Sequence, residues 1–123
     1  MIGRFREAGI RTSIFVDPDI KMVEHAKTTG TDRIELYTEG YASGYLKAPK
    51  ETIRPFVEAA KVARDVGLDI NAGHDLNLDN LHFFAENIPW VKEVSIGHAL
   101  IADALYLGLQ NTIQLYLRAL RLD

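Results

Sequence analysis

The chain has 123 residues, 47% of them apolar and 25% charged, which is the length and balance of one folded domain. Fourteen Lys and Arg stand against 17 Asp and Glu, a formal net charge of −3. That argues against a broad basic face for nucleic acid and leaves any anionic ligand to local groups. With no cysteine there is no disulfide, thiolate nucleophile or cysteine zinc site, and a reducing, cytoplasmic setting fits. No apolar run approaches the roughly 18 residues of a membrane span, and residues 1–7 lack the apolar stretch of a signal peptide.

Residues 12–16 are β-branched and aromatic and predict a first strand. Asp17 predicts a helix cap with Pro18 at the first helical position. Ile20, Val23 and Ala26 then recur at helical spacing, and Gly30 stops the helix. Residues 33–37 predict a second strand, and 38–49 a glycine-containing loop. A helix follows over 51–66 with Phe56, Ala60 and Ala63 on one face. Pro55 fits there only near the first turn or at a bend. Gly67 ends it, and residues 68–71 predict a short third strand. Asn77 caps a helix over 78–87 that Pro89 stops, and 93–96 predict a fourth strand. Helices over 99–107 and 109–120, separated by Gly108, close the chain.

The order β-α-β-α-β-α-β-α-α predicts an α/β fold of parallel strands joined by right-handed crossovers. Two architectures use four such units: a small doubly wound sheet, or half of a (βα)8 barrel, which normally needs about 250 residues. Periodicity does not separate them. In both, ligand groups gather just past the C-terminal ends of the strands.

Three places carry polar groups at such ends. The third strand runs into Asn71-Ala72-Gly73-His74-Asp75, where small residues admit a ligand close to the backbone. His74 is then a candidate general acid or base, or a loop histidine bonded locally to Asn77 or Asp79. The fourth strand runs into Gly97-His98-Ala99. A helix start there offers free N–H groups and a positive dipole end to a phosphate, or is a helix start with no ligand. Alternation puts Glu35 on the face opposite Ile34 and Leu36. It is either a pocket carboxylate that stabilises developing charge or an ordinary exposed charge. His25 and His82 fall within helices and read as surface or packing residues, and no metal-ligand spacing such as HExxH occurs.

Together these residues resemble the C-terminal half of the pyridoxine 5'-phosphate synthases, (βα)8-barrel enzymes of vitamin B6 biosynthesis. The matching segments are Ala8-Gly9-Ile10, Ser13 to Asp17, Ile34 to Thr38, Gly40-Tyr41-Ala42 and Gly67-Leu68. They continue through Asn71-Ala72-Gly73-His74 and Ser95 to Ile101. The NAGH and IGHA motifs in tandem are far more specific than either alone. The resemblance implies the second half of a TIM barrel, with the four strands as strands five to eight. It implies a transferase-class reaction that condenses 1-deoxy-D-xylulose 5-phosphate with 3-amino-2-oxopropyl phosphate. The products are pyridoxine 5'-phosphate, phosphate and water, and no metal or organic cofactor takes part. By motif, His74 matches the proton donor and Glu35 the transition-state stabiliser. Gly97 and His98 match the site for the amino-ketone phosphate. The position after the histidine also contacts that substrate; it is often glycine in the family and is Asp75 here.

The family's first half supplies a further His and Glu for acid–base work and basic residues for phosphate, and none of it is in this chain. Met1 then reads as a start placed within a gene or as the start of a cut fragment. Residues 1–123 are expected to form a single half-barrel that does not turn over alone. An inner apolar face and two open sheet edges predict a homo-oligomer. The alternative is a non-catalytic half-barrel that self-associates or pairs with a missing N-terminal half. The expected ligands are phosphorylated small molecules, with neither nucleic acid nor membrane as partner.

Overall fold

The computed structural model describes residues 1–122. In chain order the elements are α1 (Ile2–Glu7), β1 (Ser13–Val16), α2 (Ile20–Thr28), β2 (Arg33–Tyr37), α3 (Glu39–Gly44) and α4 (Pro49–Asp65). They continue with β3 (Asp69–Gly73), α5 (Leu81–Asn87), β4 (Val91–Ser95), α6 (His98–Leu107) and α7 (Leu109–Ala119). The strands form one parallel sheet in the order β1-β2-β3-β4. A doubly wound sheet reverses its strand order at a switch point. Here every strand lies beside its predecessor, as in a segment of a (βα)8 barrel. No helix among the described residues is long and apolar enough to cross a membrane.

Strand alternation decides which face meets the helices. Ile34 and Leu36 of β2, and Ile70 and Ala72 of β3, are buried against the helical layer. Val23, Ala26, Phe56, Ala60 and Phe84 belong to the same core cluster. The opposite face carries Phe15, Arg33, Glu35, Tyr37, Asn71 and Glu93. It is therefore mostly polar, where an apolar inner face was expected. Its N-terminal end is filled by ion pairs. Arg33, whose side chain is only 12% exposed, lies 3.0 Å from both Asn71 Oδ1 and Glu93 Oε2. Arg11 reaches Glu93 from the other side at 3.1 Å. Burial pushes the Glu93 carboxyl up, but the hydrogen bond and charge of Arg11, with Arg33 and Asn71, outweigh it and hold the group below its usual range.

The exposed apolar surface lies elsewhere. Helix α6 buries none of its residues and presents Leu105 and Tyr106 at 81% and 89% exposure. Helix α7 adds exposed Leu109, Ile113 and Leu117. The pair is held together by Tyr116, whose hydroxyl donates to Asp103 at 2.8 Å. The turn between them passes through Gly108 at φ 79°, a conformation that favours glycine.

Several boundaries differ from expectation. Asp17 does not cap α2: the Asp19 N–H turns back onto the Asp17 carbonyl at 2.7 Å, and the Asp19 side chain accepts from the Met22 N–H at 3.0 Å. Pro18 sits in that turn. Residues 39–44, expected as loop, form α3. Helix α4 begins at Pro49 and keeps Pro55 in its interior. An interior proline costs about 3 kcal/mol, which the burial of Ile53, Phe56, Ala59, Ala60 and Ala63 offsets. Strand β3 extends through Gly73. Asn77 stands outside α5: its side chain accepts from the Asp79 and Asn80 N–H groups at 2.9 and 3.1 Å, and the helix starts at Leu81. Strand β4 begins at Val91, and His98 is already the first residue of α6.

Candidate active site at the strand ends

The third and fourth strands end side by side, with Gly73 in register with Ser95. The chain beyond each forms the walls of an open cleft of about 650 Å³, lined by His74, Asp75, Ser95, Gly97 and His98 among others. Four of the five residues singled out from sequence thus share one cleft. The fifth, Glu35 of β2, does not line the cleft but stands next to its wall. Its carboxylate lies over Gly73, so closely that a Cβ there would collide with Oε1 and press on the Ser95 side chain. A side chain at 73 would therefore displace the Glu35 carboxylate from this position. Glu35 is on the polar face, as alternation predicts.

His74 does not bond to Asn77 or Asp79. Its ring is held on two sides: Nδ1 is 2.9 Å from Asp75 Oδ2, and the Tyr37 ring meets it edge-on with centroids 4.7 Å apart. Phe15 continues the aromatic row, 5.4 Å from Tyr37. His74 and Asp75 both take positive φ, 92° and 59°, a strained region for residues with a Cβ. Side chains from other elements hold this strained pair. The Thr38 hydroxyl shares its one hydrogen between the carbonyls of Gly73, at 2.8 Å, and His74, and the Thr38 N–H also donates to the Gly73 carbonyl at 2.9 Å. The Asn80 amide donates to the Asp75 carbonyl at 3.2 Å. Tyr41, buried on α3, donates through its hydroxyl to the Asn80 carbonyl at 2.6 Å. Burial pushes the Tyr41 phenol up, with Tyr45 adding to the shift, so it stays a neutral donor.

Gly97 precedes α6, whose first intrahelical bond runs from the Ile101 N–H to the Gly97 carbonyl at 3.2 Å. The N–H groups of His98, Ala99 and Leu100 are left without helical partners. Gly97 has negative φ, and a Cβ there would meet nothing within 4 Å. His98 is exposed at the cleft edge. His82 is exposed on α5, its Nδ1 3.0 Å from the Ala119 carbonyl, and His25 is exposed on the outer helix α2.

Thr38, Tyr37 and Asn80 were not singled out from sequence. Tyr37 was within reach, because alternation puts it on the face of Glu35. Thr38 and Asn80 left no such signal: each is more than 30 residues in sequence from a site group it supports or from Tyr41, its own support.

A parallel sheet in sequential order, with His74, Glu35 and the start of α6 at its C-terminal edge, is the layout of a segment of a (βα)8 barrel. The family model described as "Pyridoxal phosphate biosynthesis protein PdxJ" matches residues 1–122. The chain belongs to this family. Curated relatives named pyridoxine 5'-phosphate synthase are similar along nearly its whole length. That of Bacteroides thetaiotaomicron is 61% identical over 121 residues, 98% of this chain and 51% of the relative. That of Flavobacterium johnsoniae is 60% identical over the same shares, and that of Parabacteroides distasonis is 62% identical over 116 residues, 94% of this chain and 49% of the relative. The chain spans about half the length of the curated relatives it matches.

Proposed function

We propose that this chain supplies one half of a pyridoxine 5'-phosphate synthase site, the half that holds the amino-ketone phosphate and delivers a proton. The carrying observation is the shared cleft, which joins His74 on one strand end to Gly97 and His98 on the next. In this reading the phosphate of 3-amino-2-oxopropyl phosphate lies against the N–H groups that open α6, where the dipole favours an anion. His98 adds a hydrogen bond, and the backbone at Asp75 lies along the substrate. His74 donates the proton as 1-deoxy-D-xylulose 5-phosphate is condensed and water leaves. Glu35 faces positive charge that develops on the condensing nitrogen and carbon atoms. The cysteine-free chain and phosphorylated substrates fit a cytoplasmic setting.

The remaining acid–base groups come from the other half of the barrel. The unpaired edges of β1 and β4 and the apolar α6–α7 surface suit a chain that works against other chains, whether the complementary half or further copies of itself. The test combines this chain with the complementary half of the Bacteroides thetaiotaomicron relative and measures pyridoxine 5'-phosphate formed from the two substrates. Turnover should require both halves, and His74→Asn should lower it by roughly 10²-fold or more. Full turnover with His74→Asn would remove the proton-donor assignment.

A further inference from the structure

The aspartate that follows His74 stands where the resemblance leads one to expect glycine, and its side chain is turned onto the imidazole and not left free for a ligand. We propose that Asp75 is a positioning residue that fixes the tautomer of His74, so that Nδ1 keeps its proton and Nε2 is the nitrogen that exchanges one with the cleft. This rests on the proton-donor reading of His74 given above.

Three observations carry it. The first is the contact itself, Nδ1 to Oδ2 at 2.9 Å. A carboxylate only accepts, so the nitrogen facing it must carry hydrogen. The tautomer of a histidine is set by the bond its other nitrogen makes. A free imidazole in water favours the opposite tautomer, so the carboxylate has a preference to overcome. The second is the backbone. Adjacent exposed side chains rarely hold one another in a fixed geometry. Here both residues are at positive φ, and three successive carbonyls, those of Gly73, His74 and Asp75, are each bonded by a buried side chain, Thr38 or Asn80. The peptide between the two side chains therefore cannot turn, and the pair keeps its geometry without being buried. The third is the Tyr37 ring, steeply inclined to the imidazole with centroids 4.7 Å apart, which limits rotation of the imidazole away from Asp75.

The proton balance is simple. When Nε2 gives its proton to the substrate, the ring returns to the neutral form with hydrogen on Nδ1, and Asp75 stays ionised. When Nε2 is reprotonated, the carboxylate faces an imidazolium. Asp75 neither gains nor loses a proton in the cycle, and it touches no reacting atom.

The experiment records long-range ¹H–¹⁵N correlations of the histidine rings of the chain at alkaline pH, for the parent and for Asp75→Gly. Glycine accepts the φ of 59° at position 75 without strain, so the variant should fold, and unchanged backbone amide signals outside residues 73–80 check this. In the parent, Nδ1 of His74 should show the protonated, pyrrole-type shift and Nε2 the bare, pyridine-type shift. Asp75→Gly should lose that pattern, while His25, His82 and His98 keep theirs. The same His74 pattern in both proteins would overturn the proposal. So would a parent in which Nε2 carries the proton. Either result leaves the proton-donor reading standing, which fails instead if His74→Asn turns over fully.

Discussion

Removing the side chain of Asn80 should damage both the fold and the site loop. Asn80 is 2% exposed. Its Oδ1 accepts from the Asn77 N–H at 2.9 Å, and its Nδ2 donates to the Asp75 carbonyl at 3.2 Å. Asn80→Ala deletes both bonds. Asn77 is half-buried and Asp75 exposed, so water can partly satisfy the groups left behind. Each lost bond then costs about 1 kcal/mol, not the ~3 kcal/mol of a sealed group. The total is about 2 kcal/mol. For a chain of this length that corresponds to roughly 8 °C in Tm. Urea unfolding followed by far-ultraviolet circular dichroism should show a lower midpoint with an unchanged slope. The amide signals of His74 and Asp75 should broaden, because their strained φ values lose one restraint. Asp79→Ala, an exposed neighbour, serves as control and should stay within about 0.5 kcal/mol of the parent. If Asn80→Ala matched that control, the loop would not be held in the way described.

Gly73→Ala places a Cβ against Glu35 Oε1 and the Ser95 side chain. It should cost about 1–2 kcal/mol by overpacking, and in the two-half assay turnover should fall further than this loss of stability explains. A Gly73→Ala protein with parental turnover would show that the Glu35 position does not matter. Stability should also fall in acid through Asp32. The Thr12 N–H and hydroxyl, bonded at 2.8 and 3.0 Å and aided by Arg6, hold that carboxyl below its ordinary range. A carboxyl depressed in the folded state adds stability that is present above its unfolded value near 4 and lost as pH falls through the folded value. Urea midpoints should therefore hold between about pH 7 and 5 and drop below about pH 4, with a smaller drop in Asp32→Asn. Equal drops in the two proteins would count against this.

Strand β2 was fully legible: residues 33–37 alternate, and the structure keeps both ends and both faces. The candidate site was legible as a set of strand ends, because a parallel sheet gathers those ends whatever the loops do. Helix α3 was not legible. Its sequence, Glu39 to Gly44, has two glycines and a serine, all poor helix formers. What makes it a helix is tertiary. Tyr41 is fully buried, with the rings of Phe84, Tyr45 and Phe56 at 5.2, 5.5 and 6.1 Å. None of these partners but Tyr45 is close in sequence. The start of α5 failed for a related reason. Asn77 does act on the chain ahead of it, but its bonds close a turn and leave the helix to begin at Leu81. The polar inner face was missed although the predicted strands already held Arg33, Glu35 and Glu93; strand patterns alone do not give the cross-strand placement that pairs Glu93 of β4 with Arg33 of β2 across Asn71 of β3.

The unreadable helix is also what the readable motif depends on. Two successive non-glycine residues at positive φ cost on the order of 1–3 kcal/mol each, and an isolated loop would relax them. The bonds that prevent this come from Thr38, at the start of α3, and from Asn80, whose carbonyl is fixed in turn by Tyr41 on the same helix. The Asn71-to-Asp75 motif thus specifies the groups, while their geometry is specified from both sides of it, by Thr38 and Tyr41 far upstream in sequence and by Asn80 just after it. A chain that kept the motif but lost Tyr41 would keep its histidine and lose the backbone strain that aims it. Placing the same five residues on another parallel sheet should therefore not reproduce the His74–Asp75 pair unless a buried hydroxyl and a buried amide come with them.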